Sequence, residues 1–370
     1  MASPIPNRRA FLTGAAARDA AADAIADRLP EGGENENQAP VAGPSVRLAQ
    51  RSMACEFACV LNPGDSSAVM HAGDALAIVH DLEAQLSVYR PDSEVSRLNE
   101  AGGGEVEVGL FELLSRAKEL AERAGGAFTP LAGSLIRRWR AARAENAVLS
   151  EPDAAEEAKR CDAGRLSLNP DRQSVRLADG SRLDLGGVGK GYALDRAASH
   201  LAEQGVSDFL LHGGRSSLLA RGEHVAGGWP VGLGDPHRTT KRLGTVLLKN
   251  KAMGTSGSNV QFYRHGGRRL GHILDPRTGW PADPDRDGGL LSATAFAPAE
   301  SPTAAADADA LSTALYVMGR HAAAAFFDAF PSFGGILVAP PIDGRLPVTV
   351  RNVDPATLFL NEAGVLLQER

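Results

Sequence analysis

One short stretch restricts the fold more than any other. "LDLGGVGKGYALDR", Leu183–Arg196, places four glycines and a lysine between an alternating apolar run and a helical one. Upstream, "SVRLADGSRLDLGG" alternates Val175, Leu177, Leu183 and Leu185 about Asp179-Gly180. That pattern predicts a hairpin with a two-residue turn. Downstream, the spacing predicts a helix from about Tyr192 to Gln204, ending near Gly205. A strand, a glycine loop and a helix start in succession aim backbone N–H groups and a positive dipole end at an anion. The same glycines would also serve a plain tight turn that needs their backbone freedom. The stretch alone supports both readings.

Two familiar phosphate motifs fail on particular residues. A P-loop needs G-x-x-x-x-G-K followed by Ser or Thr. Here Asp184 stands at the first glycine and Gly191 at the hydroxyl that would hold magnesium. A dinucleotide fingerprint needs G-x-G-x-x-G opening a βαβ unit. Gly187, Gly189 and Gly191 instead follow a hairpin.

The rest of the chain mixes strands and helices without a βαβ rhythm, which predicts one α+β unit. "VRLAQRSMACEFACVLN" reads as one or two strands. A helix capped by Ser67 carries Val69, Leu76, Val79, Leu82 and Leu86 on one side. A second helix places Leu110, Leu113, Leu114, Ala117, Leu120 and Ala124 together and stops at Gly125-Gly126. "DFLLHGG", "SLLARG", "GTVLLKN", "HILDP" and "LSATAFA" read as short strands. "TAAADADALSTALYVMG" reads as a helix with another behind it, before strands at "GGILVAP" and "LPVTVRN".

Charge and cysteine usage narrow the function classes. A net charge of −6 provides no basic field for a nucleic-acid backbone. The local run "RRWRAAR", Arg137–Arg143, reads as a solvated helix face. Cys55, Cys59 and Cys161 are too few and scattered for a disulfide framework or a zinc site. No apolar run reaches the ~18 residues of a transmembrane helix. Residues 1–44 read as a disordered or degenerate signal-like segment ahead of one domain over 45–370. "NRRAFLTGAAA", Asn7–Ala17, is similar to a twin-arginine export signal. Arg18, Asp19, Asp23, Asp27 and Arg28 interrupt the apolar run such a signal needs. The compartment therefore has two readings, the cell envelope or periplasm with a working signal and the cytoplasm without one.

Five segments in order carry a family resemblance. They are "LSVYRPDSEVSRLNEA", "GGAFTPLAGSLIRRW", "LDLGGVGKGYALDR", "GTSGSNVQFYRHGGRRLGHILDPRTGWP" and "DADALSTALYVMG". Together they resemble the ApbE family, the FAD:protein FMN transferases, over nearly all of the folded chain. The resemblance implies a single α+β domain with a thioesterase-like core, mixed strands and flanking helices. It implies an enzyme that uses FAD and Mg²⁺. The FMN half would pass to a Thr or Ser hydroxyl of an acceptor protein, and AMP would leave. Some relatives instead hydrolyse FAD to FMN and AMP, and a non-catalytic FAD-binding protein is a third reading.

The resemblance also assigns residues. Asp309 and Thr313 share a helix face, and their hard oxygens suit Mg²⁺. With the Gly187 carbonyl they form the implied metal set. On residue type alone, Asp309 also reads as a first-turn acid complementing a helix dipole. Lys190 and Asp184 match cofactor contacts, and Tyr89 matches an aromatic lying against the isoalloxazine. Met53, Ala127, Phe128, Thr129 and Ile273 match further flavin contacts. His272, before "ILDPRTG", matches both a flavin contact and the base that would take the hydroxyl proton. Asp275 and Thr278 shape the turn after it. The chain departs from the family pattern at "HGGRSS", where Arg215 replaces an acid or amide. It departs again at "SGSN", where Ser258 replaces an acid, and at Gly189, which replaces alanine.

Overall fold

A computed structural model describes residues 39–238, 240–258 and 262–368. The export-like stretch and most of the 1–44 segment lie outside these residues. From Ala39 onward the chain forms one compact unit.

The framework is a nine-stranded sheet whose spatial order follows the chain. Its strands are β1 (Val46–Ser52), β2 (Cys55–Leu61), β3 (Phe209–Gly213), β4 (Ser217–Arg221), β5 (Lys251–Gly257), β6 (Ser292–Pro298), β7 (Gly334–Val338), β8 (Leu346–Arg351) and β9 (Val365–Leu367). All neighbours are antiparallel except β8 and β9. The β1–β2 turn places Met53 and Ala54 at φ 49° and 60°. Two left-handed residues in a row match the right-handed twist of the strands they join.

Eight helices are described: α1 (Ser66–Leu86), α2 (Glu94–Ala101), α3 (Val108–Arg123), α4 (Gly133–Ala144), α5 (Glu151–Arg160), α6 (Gly189–Glu203), α7 (Ala304–Met318) and α8 (Arg320–Ala329). The sheet buries both faces, and strand alternation sorts its side chains between them. Ala293, Ala295 and Ala297 of β6, with Leu337 of β7, join the helical core of α1, α3, α6 and α7. Phe296, Ile336 and Val338 face the other way, into a core shared with strands Trp229–Gly234 and Arg242–Leu248. Small residues line the helical side because α7 lies very close to it. A Cβ at Gly254 of β5 would sit 2.3 Å from the Ala308 carbonyl oxygen of α7. The α7 sequence, "AAADADALSTALYVM", is itself rich in alanine and almost wholly buried.

Three local expectations need correction. The hairpin about Asp179-Gly180 does not form. Ser174–Leu177 pairs with Leu166–Asn169 on one side and Gly103–Glu105 on the other. With both edges taken, no ladder remains for Leu183–Leu185. That segment docks in extended form instead, with Leu183 bonded through its backbone to the Asn99 side chain. The Asp184 amide donates to the Pro130 carbonyl over 2.9 Å. Asp179-Gly180 is still a turn, with Gly180 at φ 77°. The first helix is capped by Asp65, not Ser67, because its carboxylate accepts from the Ser67 and Ala68 amides. Helix α6 begins at Gly189, three residues earlier than Tyr192.

Of "HILDP", only Leu274–Asp275 forms a strand, and other local expectations match. Helix α3 ends at Gly125 and Gly126, both left-handed. The arginines of α4 face outward, with Trp139 buried beneath them. Among the described residues, no helix is long and apolar enough to cross a membrane.

Candidate functional site

The site forms where the start of α6 meets α7. Gly191 lets the two helices approach this closely, since a Cβ there would sit 2.0 Å from the Ala305 carbonyl oxygen. The N-terminus of α7 has no capping side chain of its own. Asp195 of α6 serves instead, accepting from the Ala305 and Ala306 amides at 2.8 and 2.9 Å. Burial pushes the Asp195 carboxyl well above its usual range, against the pull of those two amides. Arg116 of α3 grips Asp307 of α7 with two hydrogen bonds at 2.8 and 2.7 Å. Asp195 and Arg116 therefore fix α7 in position and rotation.

That placement presents Asp309 to the glycine loop. Its Oδ2 accepts from the Gly191 amide at 2.8 Å and lies 3.6 Å from Lys190 Nζ. The amides at the start of a helix lack internal partners. One of them is here taken by a carboxylate of the chain itself. Other loop amides are also committed. Gly186 donates to Asp184 Oδ1 at 2.8 Å, and Val188 and Gly189 donate to the Leu185 carbonyl. The expected cradle of N–H groups is thus largely used within the protein. What the loop offers outward is the Lys190 ammonium and the Gly187 backbone.

The three residues of the implied metal set come together. A Cβ built on Gly187 would lie 3.9 Å from Thr313 Oγ1 and 3.2 Å from the Phe128 ring. Thr313 sits one turn after Asp309 and bonds the Asp309 carbonyl at 3.3 Å. Among the described residues, both polar contacts of the Asp309 carboxylate fall on Oδ2. Its Oδ1 remains for a cation. A carboxylate, a hydroxyl and a backbone carbonyl are hard oxygens, so the residues fit Mg²⁺.

Two groups missed in the sequence reading join this cluster. Ser256 of β5 bridges Ser312 Oγ at 2.9 Å and Thr313 Oγ1 at 3.0 Å. Cys55 of β2 is half-buried, and its thiol is raised mainly by burial. Smaller opposing influences on it come from Lys190 and Asp309. Neither residue carried a local signal, because each reaches the site from a strand distant in sequence.

The expected flavin contacts divide by exposure. Tyr89 is exposed, and the Arg140 guanidinium lies 4.8 Å from its ring centroid. Met53 is half-buried in the β1–β2 turn. Phe128 packs by Gly187, whereas Ala127 is fully buried. Thr129 spends its hydroxyl on the Cys161 carbonyl at 2.8 Å. His272 is exposed and Ile273 is buried beside it. Gly271 packs against Ser258, since a Cβ there would lie 2.8 Å from the Ser258 Cβ. That contact puts the His272 segment next to the end of β5. Asp275 does shape the following turn, accepting from the Arg277 amide at 3.0 Å and from its guanidinium at 2.9 and 2.8 Å. Thr278 donates its amide to the Asp275 carbonyl at 3.2 Å.

The departures from the family pattern also acquire positions. Ser258 is buried and shares a 2.6 Å hydrogen bond with the Tyr316 hydroxyl of α7. Arg215 is exposed in the β3–β4 turn, beside Ser216, whose carbonyl accepts from the Thr255 amide at 2.8 Å. Gly189 has only ordinary contacts around it, with Leu86 and Leu185 at 3.8 and 3.9 Å from a built Cβ.

Comparisons with known proteins identify the family. The ApbE family model matches residues 53–335. The FAD:protein FMN transferase of Treponema pallidum is 33% identical over 296 residues, covering 74% of this chain and 77% of that protein. A Klebsiella pneumoniae protein of the same name is 32% identical over 213 residues, covering 55% of this chain and 65% of that protein. The crystal structure of the ApbE protein from Thermotoga maritima superposes with a TM-score of 0.70 at 26% identity, covering 80% of this chain and 94% of the other. The clustered Asp309, Thr313 and Gly187 lie on that matched region, and the chain belongs to the ApbE family.

Proposed function

We infer that the chain is an enzyme that transfers the FMN half of FAD to an acceptor protein. The acceptor hydroxyl, from Thr or Ser, attacks the FMN phosphorus. The bond from that phosphorus to the bridging oxygen breaks, and AMP leaves with that oxygen. The observation that carries this reading is that Gly187 packs beside Thr313, one helical turn after an Asp309 whose carboxylate faces Lys190.

Each residue has a task in this reading. Asp309, Thr313 and the Gly187 carbonyl would hold Mg²⁺. When bound, the ion supplies positive charge against the phosphate oxygens and the leaving AMP. Lys190 binds the pyrophosphate as a point charge. Exposed Tyr89 offers a face for the isoalloxazine ring. His272, as neutral imidazole, takes the proton of the attacking hydroxyl.

The test uses purified chain, FAD, Mg²⁺ and an acceptor carrying an accessible threonine. Covalent flavin fluorescence on the acceptor, with AMP released in equal amount and abolished by EDTA, is the expected result. FMN and AMP appearing at the same rate without acceptor would replace transfer by hydrolysis. FAD left intact would overturn both.

A further inference from the structure

Away from the glycine loop, α1 and α6 bring two histidines and an acid together. A ligand atom of His71, one of Asp74 and one of His200 all lie within 4.8 Å of one another. His71 and Asp74 are three residues apart on α1 and so share a face. His200 lies in the last turn of α6. The two imidazoles meet edge to face, with centroids 6.4 Å apart. His200 Nε2 is buried and has no hydrogen-bond partner among the described residues. Buried ring nitrogens are normally satisfied, and each exception calls for an explanation. A histidine at a helix C-terminus also complements the dipole. That role requires neither a second imidazole nor an acid beside it.

The donor set selects the ligand class. Two imidazoles and one carboxylate suit Zn²⁺ and its neighbours in the transition series, whereas Mg²⁺ prefers oxygen alone. Tetrahedral zinc with such ligands separates its donor atoms by about 3.3 Å, so modest side-chain rotation closes the observed spacing. A water would complete the shell. Gly191, which donates to Asp309, and His200 are about 14 Å apart along α6 at the helical rise.

We propose that His71, Asp74 and His200 bind a transition-metal ion of the zinc type at a site separate from Asp309. The ion would tie the first turns of α1 to the last turn of α6. Nothing in the flavin-transfer reading depends on this site.

The test titrates ZnCl₂ into the full chain in Mg²⁺-containing buffer, by calorimetry and by thermal melting. Circular dichroism confirms that each variant is folded. The expected result is one more equivalent bound by the parent chain than by a His71→Gln/His200→Gln double variant. Each single variant should weaken binding by at least about tenfold. His80→Gln, an exposed histidine on α1, should change nothing, and Asp309→Asn should retain the zinc equivalent. The rise in melting temperature with zinc should vanish in the double variant. Equal binding by the parent and the double variant overturns the proposal, as does loss of the equivalent in Asp309→Asn alone.

Discussion

The Gly191 amide nitrogen lies 2.8 Å from Asp309 Oδ2. The positive end of α6 is thereby joined to a carboxylate supplied by α7, and Lys190 stands 3.6 Å from the same oxygen. The loop that resembles a phosphate cradle is locked onto an internal acid. A divalent ion on Asp309 would bring phosphate to the loop.

Asp309→Asn keeps an oxygen for the Gly191 amide but removes the negative charge. Flavin transfer should fall by about 10²–10³-fold, the scale of removing one preorganised electrostatic partner. The melting temperature should move little. Transfer rates across a Mg²⁺ titration check this, and an unchanged Mg²⁺ dependence would remove Asp309 from the metal set.

Gly191 and Gly189 should respond oppositely to alanine. At Gly191 the new methyl would meet the Ala305 carbonyl at 2.0 Å, which backbone cannot yield without moving α7. A loss of about 3 kcal/mol or more is expected. At Gly189 the nearest atoms stand at 3.8 and 3.9 Å, within a helix where alanine is favoured. Gly189→Ala should be neutral or gain up to about 1 kcal/mol. Denaturant melts of the two variants make the comparison.

His272→Ala should reduce kcat by about 10²–10⁴-fold, the usual contribution of a positioned base. In the parent enzyme, kcat should fall on the acid side as the base is protonated. The variant should lose that acid limb. A pH–rate profile that keeps the same limb after substitution would assign it to another group.

Cys59 and Cys161 are each pushed up to about 12 by burial, from an ordinary 9.0. A folded-state pKa above the unfolded value means a contribution fully present below about pH 9 and lost as pH rises toward 12. Stability should therefore decline over that window, by at most about 1.4 kcal/mol per pH unit for each thiol. Cys59→Ala should flatten part of the slope in denaturant titrations. At pH 8 a thiol reagent should label Cys55 first and slowly, since Cys55 is half-buried and raised in the same direction. Bound Mg²⁺ and FAD should slow that labelling further, because Lys190 and Asp309 lie within electrostatic reach of Cys55.

Much of this protein was determined by the sequence alone. Helical periodicity located α1 and α3, because that pattern arises from burying one side of a helix, and the segments that form α7, β3, β4 and β6 were also legible as a helix and short strands. The i, i+4 spacing put Asp309 and Thr313 on one helix face before any packing was known. Other features were decided only by the tertiary structure. Leu183–Leu185 alternates like a strand yet pairs with none, because Ser174–Leu177 has both edges occupied. The Gly191 amide looked available for phosphate, but a residue 118 positions later accepts from it. Ser256 reached Thr313 across 57 positions, and His71 reached His200 across 129. Local sequence specifies which groups a segment offers. Which partner meets each group depends on how close the helices and strands can pack, and here Gly191 and Gly254 set that approach.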